Sequence, residues 1–197
     1  MTKILALSGR KQSGKTTASE YIQDFVYKNH PSIICKIYNF ADPLKQDICM
    51  NILGMTYDQC YGSDIDKNTL TNLVWNNEKL TARRAMEVIG TDIFRKLLDT
   101  VWVQATILKI EKEKPDLAII PDCRFPNEVN TILDNNGHII RLTLDPFHSD
   151  SNSERALDAD KYDWNKFSTI IDNSNISIEE KNTLVYQFII QEGILPL

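Results

Sequence analysis

The sequence predicts an α/β fold in which a mostly parallel sheet lies between two layers of helices. Three observations predict it. Short apolar runs alternate with runs of helical periodicity along the 197 residues, a pattern that favours parallel strands covered by helices. The first apolar run, Ile4-Leu5-Ala6-Leu7-Ser8, leads directly into Gly9-Arg10-Lys11-Gln12-Ser13-Gly14-Lys15-Thr16 and then into a helical run. A later run, Leu117-Ala118-Ile119-Ile120, is followed by Pro121 and a carboxylate, Asp122.

In chain order, Lys3 to Ser8 reads as a strand, and Gly14 to Lys28 as a helix with Ala18, Ile22, Phe25 and Val26 at helical spacing, ended by His30-Pro31. Ile33 to Phe40 reads as the second strand. Asp42-Pro43 has the form of an N-cap followed by proline at the first helical position, and opens a helix ended by Gly54. From Met55 to Glu78 apolar periodicity is lost, and a surface excursion is expected there. Thr81 caps a helix that Gly90 is expected to stop. A further helix is expected from Asp92 to about Lys112, with Ile93, Leu97, Val101, Ala105 and Leu108 as its apolar stripe. Asp116 to Asp122 is the next strand, with Pro121 tolerable at its end. A helix over Asn127 to Asn135 and a strand over His138 to Leu144 follow. The polar stretch Asp145 to Asp163 reads as a lid loop, and Ser168 to Asp172 as a last short strand. Ser177-x-x-Glu180 is a capping box that opens a final helix, stopped by Gly193. One domain over residues 1–197 is expected, with 55–78 as an insert on the acceptor side and 145–163 as a lid.

Composition excludes several classes of protein. A net charge of −5 does not suit a broad nucleic-acid surface. The four cysteines, Cys35, Cys49, Cys60 and Cys123, form no C-x-x-C pair and have no histidine at zinc-finger spacing, so reduced thiols of a cytoplasmic-type compartment are expected. The N-terminal apolar run is too short for a secretory leader, and no run reaches membrane-spanning length.

The segment Gly9 to Thr16 matches the phosphate-loop pattern G-x-x-x-x-G-K-[ST] at every fixed position. Its glycines permit backbone conformations closed to other residues. Successive N–H groups can then face phosphate oxygens at the positive end of the following helix. Gly9, Arg10, Lys11, Gln12, Ser13, Gly14, Lys15, Thr16 and Thr17 are therefore the candidate ATP-binding residues. Lys15 supplies charge for the β- and γ-phosphates, and at ~4 Å with an effective dielectric of ~20 such a contact is worth roughly 4 kcal/mol. Thr16 offers a hydroxyl to Mg²⁺. Asp122 at the end of its strand is the second candidate metal ligand.

A phosphate loop alone leaves a small-molecule kinase, a GTPase, a motor and a nucleotide-binding regulator open. Asp122-Cys123-Arg124-Phe125 lacks the glycine of D-x-x-G, and Asn165-Lys166-Phe167-Ser168 lacks the aspartate of N-K-x-D, which argues against a GTPase. Short length and the polar excursion favour a small-molecule kinase. Arginines suit its phosphates, because the planar guanidinium binds them bidentately. Arg83 and Arg84 lie together at a helix opening, Arg124 follows Asp122 by two residues, and Arg155 sits in the last polar loop.

Five blocks carry a resemblance to a known family: Leu7 to Thr16, Ala82 to Asp92, Trp102-Val103, Pro121 to Arg124, and Ser153-Glu154. The spacing R-R-x-M-x-x-x-G-T-D, then W-V, then P-D-x-R, resembles the deoxynucleoside monophosphate kinases of T-even bacteriophages and their phage relatives. The resemblance implies the nucleoside monophosphate kinase version of the P-loop NTPase fold. It implies transfer of the ATP γ-phosphoryl to a deoxynucleoside 5′-monophosphate, with Mg²⁺, in the host cytoplasm. It implies that Lys11, Arg84, Gly90, Thr91, Trp102 and Arg124 surround the acceptor or the transferring phosphate, with Lys15, Lys11 and Arg124 catalytic. Leu44, Lys45, Lys67, Arg83, Glu128 and Arg155 complete the acceptor-side set. Two departures stand out: Thr16 occupies a position where some relatives have aspartate, and the insert from Met55 to Glu78 is shorter than in the T-even enzymes. A kinase of another small metabolite, such as dephospho-coenzyme A, and a non-catalytic nucleotide-binding module share the loop but not this spacing. A homodimer is left open.

Overall fold

A computed structural model describes residues 2–148 and 152–195. The chain divides into two compact units, one formed by Met1–Asn39 with Ile107–Leu197 and the other by Phe40–Thr106. In chain order the strands are β1 (Lys3–Ser8), β2 (Cys35–Ile37), β3 (Leu70–Trp75), β4 (Glu78–Thr81), β5 (Leu117–Cys123), β6 (His138–Leu142) and β7 (Thr169–Ile171). The α-helices are α1 (Lys15–Asn29), α2 (Tyr57–Tyr61), α3 (Asp64–Lys67), α4 (Ala82–Glu87), α5 (Val101–Glu113), α6 (Pro126–Asp134), α7 (Asn152–Arg155) and α8 (Ile178–Gln191).

The first unit is built on a five-stranded sheet of order β2-β5-β1-β6-β7, parallel throughout. Alternation along the strands sends Leu5 and Leu7, Leu117 and Ile119, and Ile140 and Leu142 to one face. There they pack against Ala18, Ile22 and Val26 of α1 and Val185, Phe188 and Ile189 of α8. The opposite face carries buried Ile4, Ala6, Ala118 and Ile120. On that face Ile4 and Ile132 of α6 crowd Gly137, where an added Cβ would lie 3.1 and 2.7 Å from them. Parallel strands buried on both faces explain why these runs are continuously apolar. Pro121 lies inside β5, not at its end, yet breaks no ladder. β5 pairs with β2 only as far as Ile119, and its register with β1 shifts between Ala6 and Ser8. The missing N–H falls at that irregularity.

The second unit has its own core of Cys49, Met55, Cys60, Leu80, Ala82, Ala85 and Val88. Residues 55–78 are not a featureless loop. Capping boxes at Thr56 and Ser63 open α2 and α3, and β3 pairs antiparallel with β4. Thr56-x-x-Gln59 is a local capping signal, but five- and four-residue helices are too short to show periodicity. Asn76 and Asn77, both at positive φ, make the hairpin turn.

Four expectations need correcting. Gly90 stops no helix, because α4 passes directly into a π-helical segment over Val88–Arg95. The run from Asp92 to Lys112 is interrupted by a turn at Asp99-Thr100 before α5 starts. Its expected stripe also fails, since Leu97 and Leu108 are 80% and 63% exposed while Trp102, Val103, Ile107 and Ile110 are buried. Wider π-turns shift the angular position of each residue, so a stripe counted at 3.6 residues per turn drifts off the buried face. The helix expected after Asp42 is likewise π-helical, over Pro43–Ile52. In the range 145–163, residues 149–151 lie outside the described residues.

Candidate active site

The carboxyl ends of β1, β2, β5 and β6 lie along one edge of the parallel sheet, where α/β proteins place their ligands. β1 is the central strand, and the loop 9–14 leaves its carboxyl end. Gly9 adopts φ 153° and Gly14 adopts φ 92°, conformations that L side chains rarely take. A Cβ on Gly9 would also lie 2.5 Å from Ser13 Oγ. Gln12, at φ 59°, is a non-glycine residue in the left-handed region within the same loop. α1 begins at Lys15, so its N-terminal N–H groups open onto the loop.

A cleft of about 440 Å³ lies against this loop, lined by Lys11, Gln12, Gly14, Lys15, Thr16, Thr17, Asn39, Pro121, Asp122 and Arg124. Lys15 is buried, and its Nζ donates to Gly9 O at 2.8 Å, Arg10 O at 2.6 Å and Ser13 Oγ at 3.4 Å. Burial pushes its pKa down to about 8; the charges of Arg124 and Arg141 act in the same direction, and those of Glu154 and Asp122 oppose it. A depressed lysine pKa here reports a concentration of cations in a poorly solvated cleft, as an anion-binding site requires.

Several carboxylates hold these cations. Glu154, buried at the end of β6's return into α7, accepts the Lys11 backbone N–H with one oxygen and Arg124 Nη1 with the other. Arg10 forms a two-armed bond to Asp158, with Nε–Oδ1 3.1 Å and Nη2–Oδ2 2.6 Å. Arg141, buried at the end of β6, donates to Ser8 Oγ at 3.0 Å and lies 3.8 Å from Asp158, with its guanidinium over Trp164. Glu128 is buried and accepts the N–H groups of Arg124 at 2.6 Å and Phe125 at 3.0 Å. It thereby caps α6 and fixes the backbone that presents Arg124. Arg155 approaches Asp158 at 3.6 Å and Asp160 at 3.4 Å.

Thus the nine residues of the loop, with Asp122, Arg124, Glu128 and Arg155, all belong to the first unit. Thr16 and Asp122 face the same cleft as one hydroxyl and one carboxylate. Among the described residues no group of three or more His, Cys, Asp and Glu side chains is arranged to hold a metal ion. Two hard oxygen donors suit Mg²⁺, which keeps waters and substrate phosphates as its other ligands.

The remaining predicted residues, Leu44, Lys45, Lys67, Arg83, Arg84, Gly90, Thr91 and Trp102, belong to the second unit. Lys45 lies 4.5 Å over the Tyr61 ring. Lys67 closes α3. Arg83 pairs with Asp64 at 2.7 Å. Arg84 reaches Glu87 at 3.2 Å and Asp92 at 3.4 Å from a half-exposed position. Trp102 Nε1 donates to Gly90 O at 3.1 Å, and a Cβ on Gly90 would lie 2.7 Å from Leu44 Cδ2. The glycine of G-T-D and the tryptophan of W-V therefore meet directly, with Thr91 beside them on the exposed side.

Sequence reasoning did not single out Glu154 beyond its place in a shared block, and missed Asp158 and Arg141 altogether. The partners of Glu154 and Arg141 lie 143 and 133 residues away, so no local spacing marks them.

A phosphate loop at the central strand, its lysine, a strand-end aspartate and an arginine in one cleft define the class: a P-loop phosphotransferase. The profile of the deoxynucleotide monophosphate kinase family matches residues 51–175. The chain belongs to that family, and its reaction is phosphoryl transfer to a deoxynucleoside monophosphate. It is 24% identical over 185 residues to the deoxynucleoside-5′-monophosphate kinase of Escherichia phage T5, covering 69% of this chain and 74% of the phage protein. It is 28% identical over 165 residues to a protein of Acanthamoeba polyphaga mimivirus named for the same activity, covering 75% of this chain and 77% of that protein. Among solved structures, shikimate kinase from Acinetobacter baumannii aligns at 10% identity with a TM-score of 0.47, covering 99% of this chain and 97% of that one.

Proposed function

We propose that the cleft of the first unit holds the triphosphate of ATP, and that the arginines of the second unit take the acceptor monophosphate. The observation that carries this reading is the convergence of Lys15, Asp122 and Arg124 on the loop cleft. Lys15 neutralises the donor phosphates. Arg124, presented by a backbone that Glu128 holds, stabilises charge on the transferring group. Lys11, exposed beside Lys15, adds a second cation. Thr16 and Asp122 would hold Mg²⁺, which supplies charge neutralisation of the donor phosphates when bound. Arg84, Gly90, Thr91 and Trp102 take the acceptor phosphate, with Leu44, Lys45, Lys67 and Arg83 of the same unit; Arg155, in the first unit, is a further acceptor-directed arginine. The acceptor oxygen is already a nucleophile at neutral pH. Catalysis is therefore positioning and electrostatics, with no covalent enzyme intermediate. Among the described residues no helix is long and apolar enough to cross a membrane. The likeness to viral and phage proteins supports a role in the host cell.

A coupled ADP-release assay across the four deoxynucleoside monophosphates and their ribose counterparts tests the reading. ADP release should require both ATP·Mg²⁺ and a deoxynucleoside monophosphate. ATP binding without release in the presence of any acceptor would point instead to a regulatory module.

A further inference from the structure

The phosphate loop is held from behind by two side chains that its motif does not contain. Asn173, buried just beyond β7, donates from Nδ2 to Ser13 O at 2.8 Å, and its Oδ1 accepts the Leu144 N–H at 3.0 Å. Lys181, on the first turns of α8, donates from Nζ to Gly14 O at 2.9 Å. That carbonyl also accepts the first helical N–H, from Ala18, at 3.0 Å. In a trans peptide the C=O and the following N–H point in opposite directions. Clamping the carbonyls of Ser13 and Gly14 from the α8 side therefore turns the N–H groups of Gly14 and Lys15 the other way, toward the cleft that these residues line. The clamp is tight: a Cβ on Gly14 would sit 2.9 Å from Lys181 Nζ.

Lys181 is only 3% exposed, and the contact described for its ammonium is a carbonyl, not a carboxylate. Burial alone lowers its pKa. A buried ammonium held this way is costly for stability, and an apolar side chain of similar length would be cheaper. Its charge lies one peptide away from the loop's phosphate-facing N–H groups, where an anionic ligand offsets the cost.

We propose that Lys181 and Asn173 are positioning residues for the donor triphosphate: they aim the Gly14 and Lys15 N–H groups, and Lys181 adds positive potential from behind the loop. The proposal rests on the donor assignment of this cleft, and the experiment separates the two. In the full chain, Lys181→Met, Lys181→Arg and Asn173→Asp are compared for MgATP dissociation constant, KM for each substrate, kcat and ligand-free Tm. Lys181→Met should weaken MgATP binding and raise its KM about tenfold, as expected for a hydrogen bond from a charged group. Acceptor KM should stay unchanged, and ligand-free Tm should be equal or higher. Lys181→Arg should restore most of the binding. Asn173→Asp keeps the bond to Leu144 but sets an acceptor against Ser13 O, and should weaken MgATP binding without moving acceptor KM. Unchanged MgATP affinity in Lys181→Met overturns the proposal. So does a parallel rise in both KM values with a fall in ligand-free Tm, the signature of a purely structural lysine. If the wild-type chain bound no MgATP, the donor assignment itself would fail.

Discussion

The two units hold most of their arginines and lysines near the predicted site in different ways. In the first unit Lys15 and Arg141 are buried, while Arg10 and Arg124 are at most one-third exposed and held by Asp158 and Glu154. In the second unit Arg83 and Arg84 are 44% and 52% exposed and paired with surface carboxylates. Exposed pairs of this kind are worth about 0–1 kcal/mol and exchange readily for another anion. The first arrangement is a preorganised electrostatic site that exists before any ligand arrives. The second is a set of arms kept available. A two-substrate enzyme can use both: on the reading proposed above, the fixed cations serve the donor and the exposed arginines the acceptor phosphate.

The largest test of this contrast is Lys15→Met. Removing a preorganised cation should lower kcat/KM for ATP by roughly 10²–10³-fold. The wild-type pH profile should agree. On the donor reading Lys15 binds phosphate in its charged form, and burial lowers its pKa to about 8, so kcat/KM for ATP should fall as pH rises past about 8. Stability of the ligand-free chain should move the other way. The unfolded lysine keeps its proton up to about 10.5, so the unfolded state binds more protons between about 8 and 10.5 and stability rises across that window. A kcat/KM profile flat through pH 9 would remove Lys15 from the donor site.

Arg84→Ala should have an intermediate effect, confined to the acceptor. Its KM should rise about tenfold, as for loss of a charge-assisted bond, while ATP affinity and ligand-free Tm barely change. Similar losses for both substrates would erase the distinction between the units. The smallest effect is expected from Trp102→Phe, which keeps the ring packing on Phe94 but deletes the bond to Gly90 O. Thermal denaturation should show a loss of about 1 kcal/mol, with a modest rise in acceptor KM. No change in either would leave the Trp102–Gly90 contact without a role.

Legibility in the sequence followed the range of the interactions. The loop from Gly9 to Thr16 was readable because its function depends on adjacent backbone groups. The strands of the parallel sheet were readable because burial on both faces leaves continuous apolar runs. Ser177-x-x-Glu180 and Thr81 announced their helices through local caps. What failed depended on geometry that no window of residues contains. Lys181 follows Glu179-Glu180 and reads as a solvent-facing helix residue, yet its partner is 167 residues away. Asn173 reads as turn chemistry. Leu97 and Leu108 were assigned inward by one period counted through the π-helical segment Val88–Arg95 and across the turn at Asp99-Thr100, neither of which keeps it.

The π-helical segment over Val88–Arg95 also sets a rule about length. A ladder of i→i+5 bonds carries more residues per turn than an α-helix. Deleting one residue between Val88 and Arg95 would let the turns tighten to α geometry, and the tightening absorbs the loss: the wide turns and the shorter α-helical run sweep about the same angle. Arg84 would then keep its side of the helix. The segment therefore carries one residue of slack, which a regular α-helix of the same sequence length would lack.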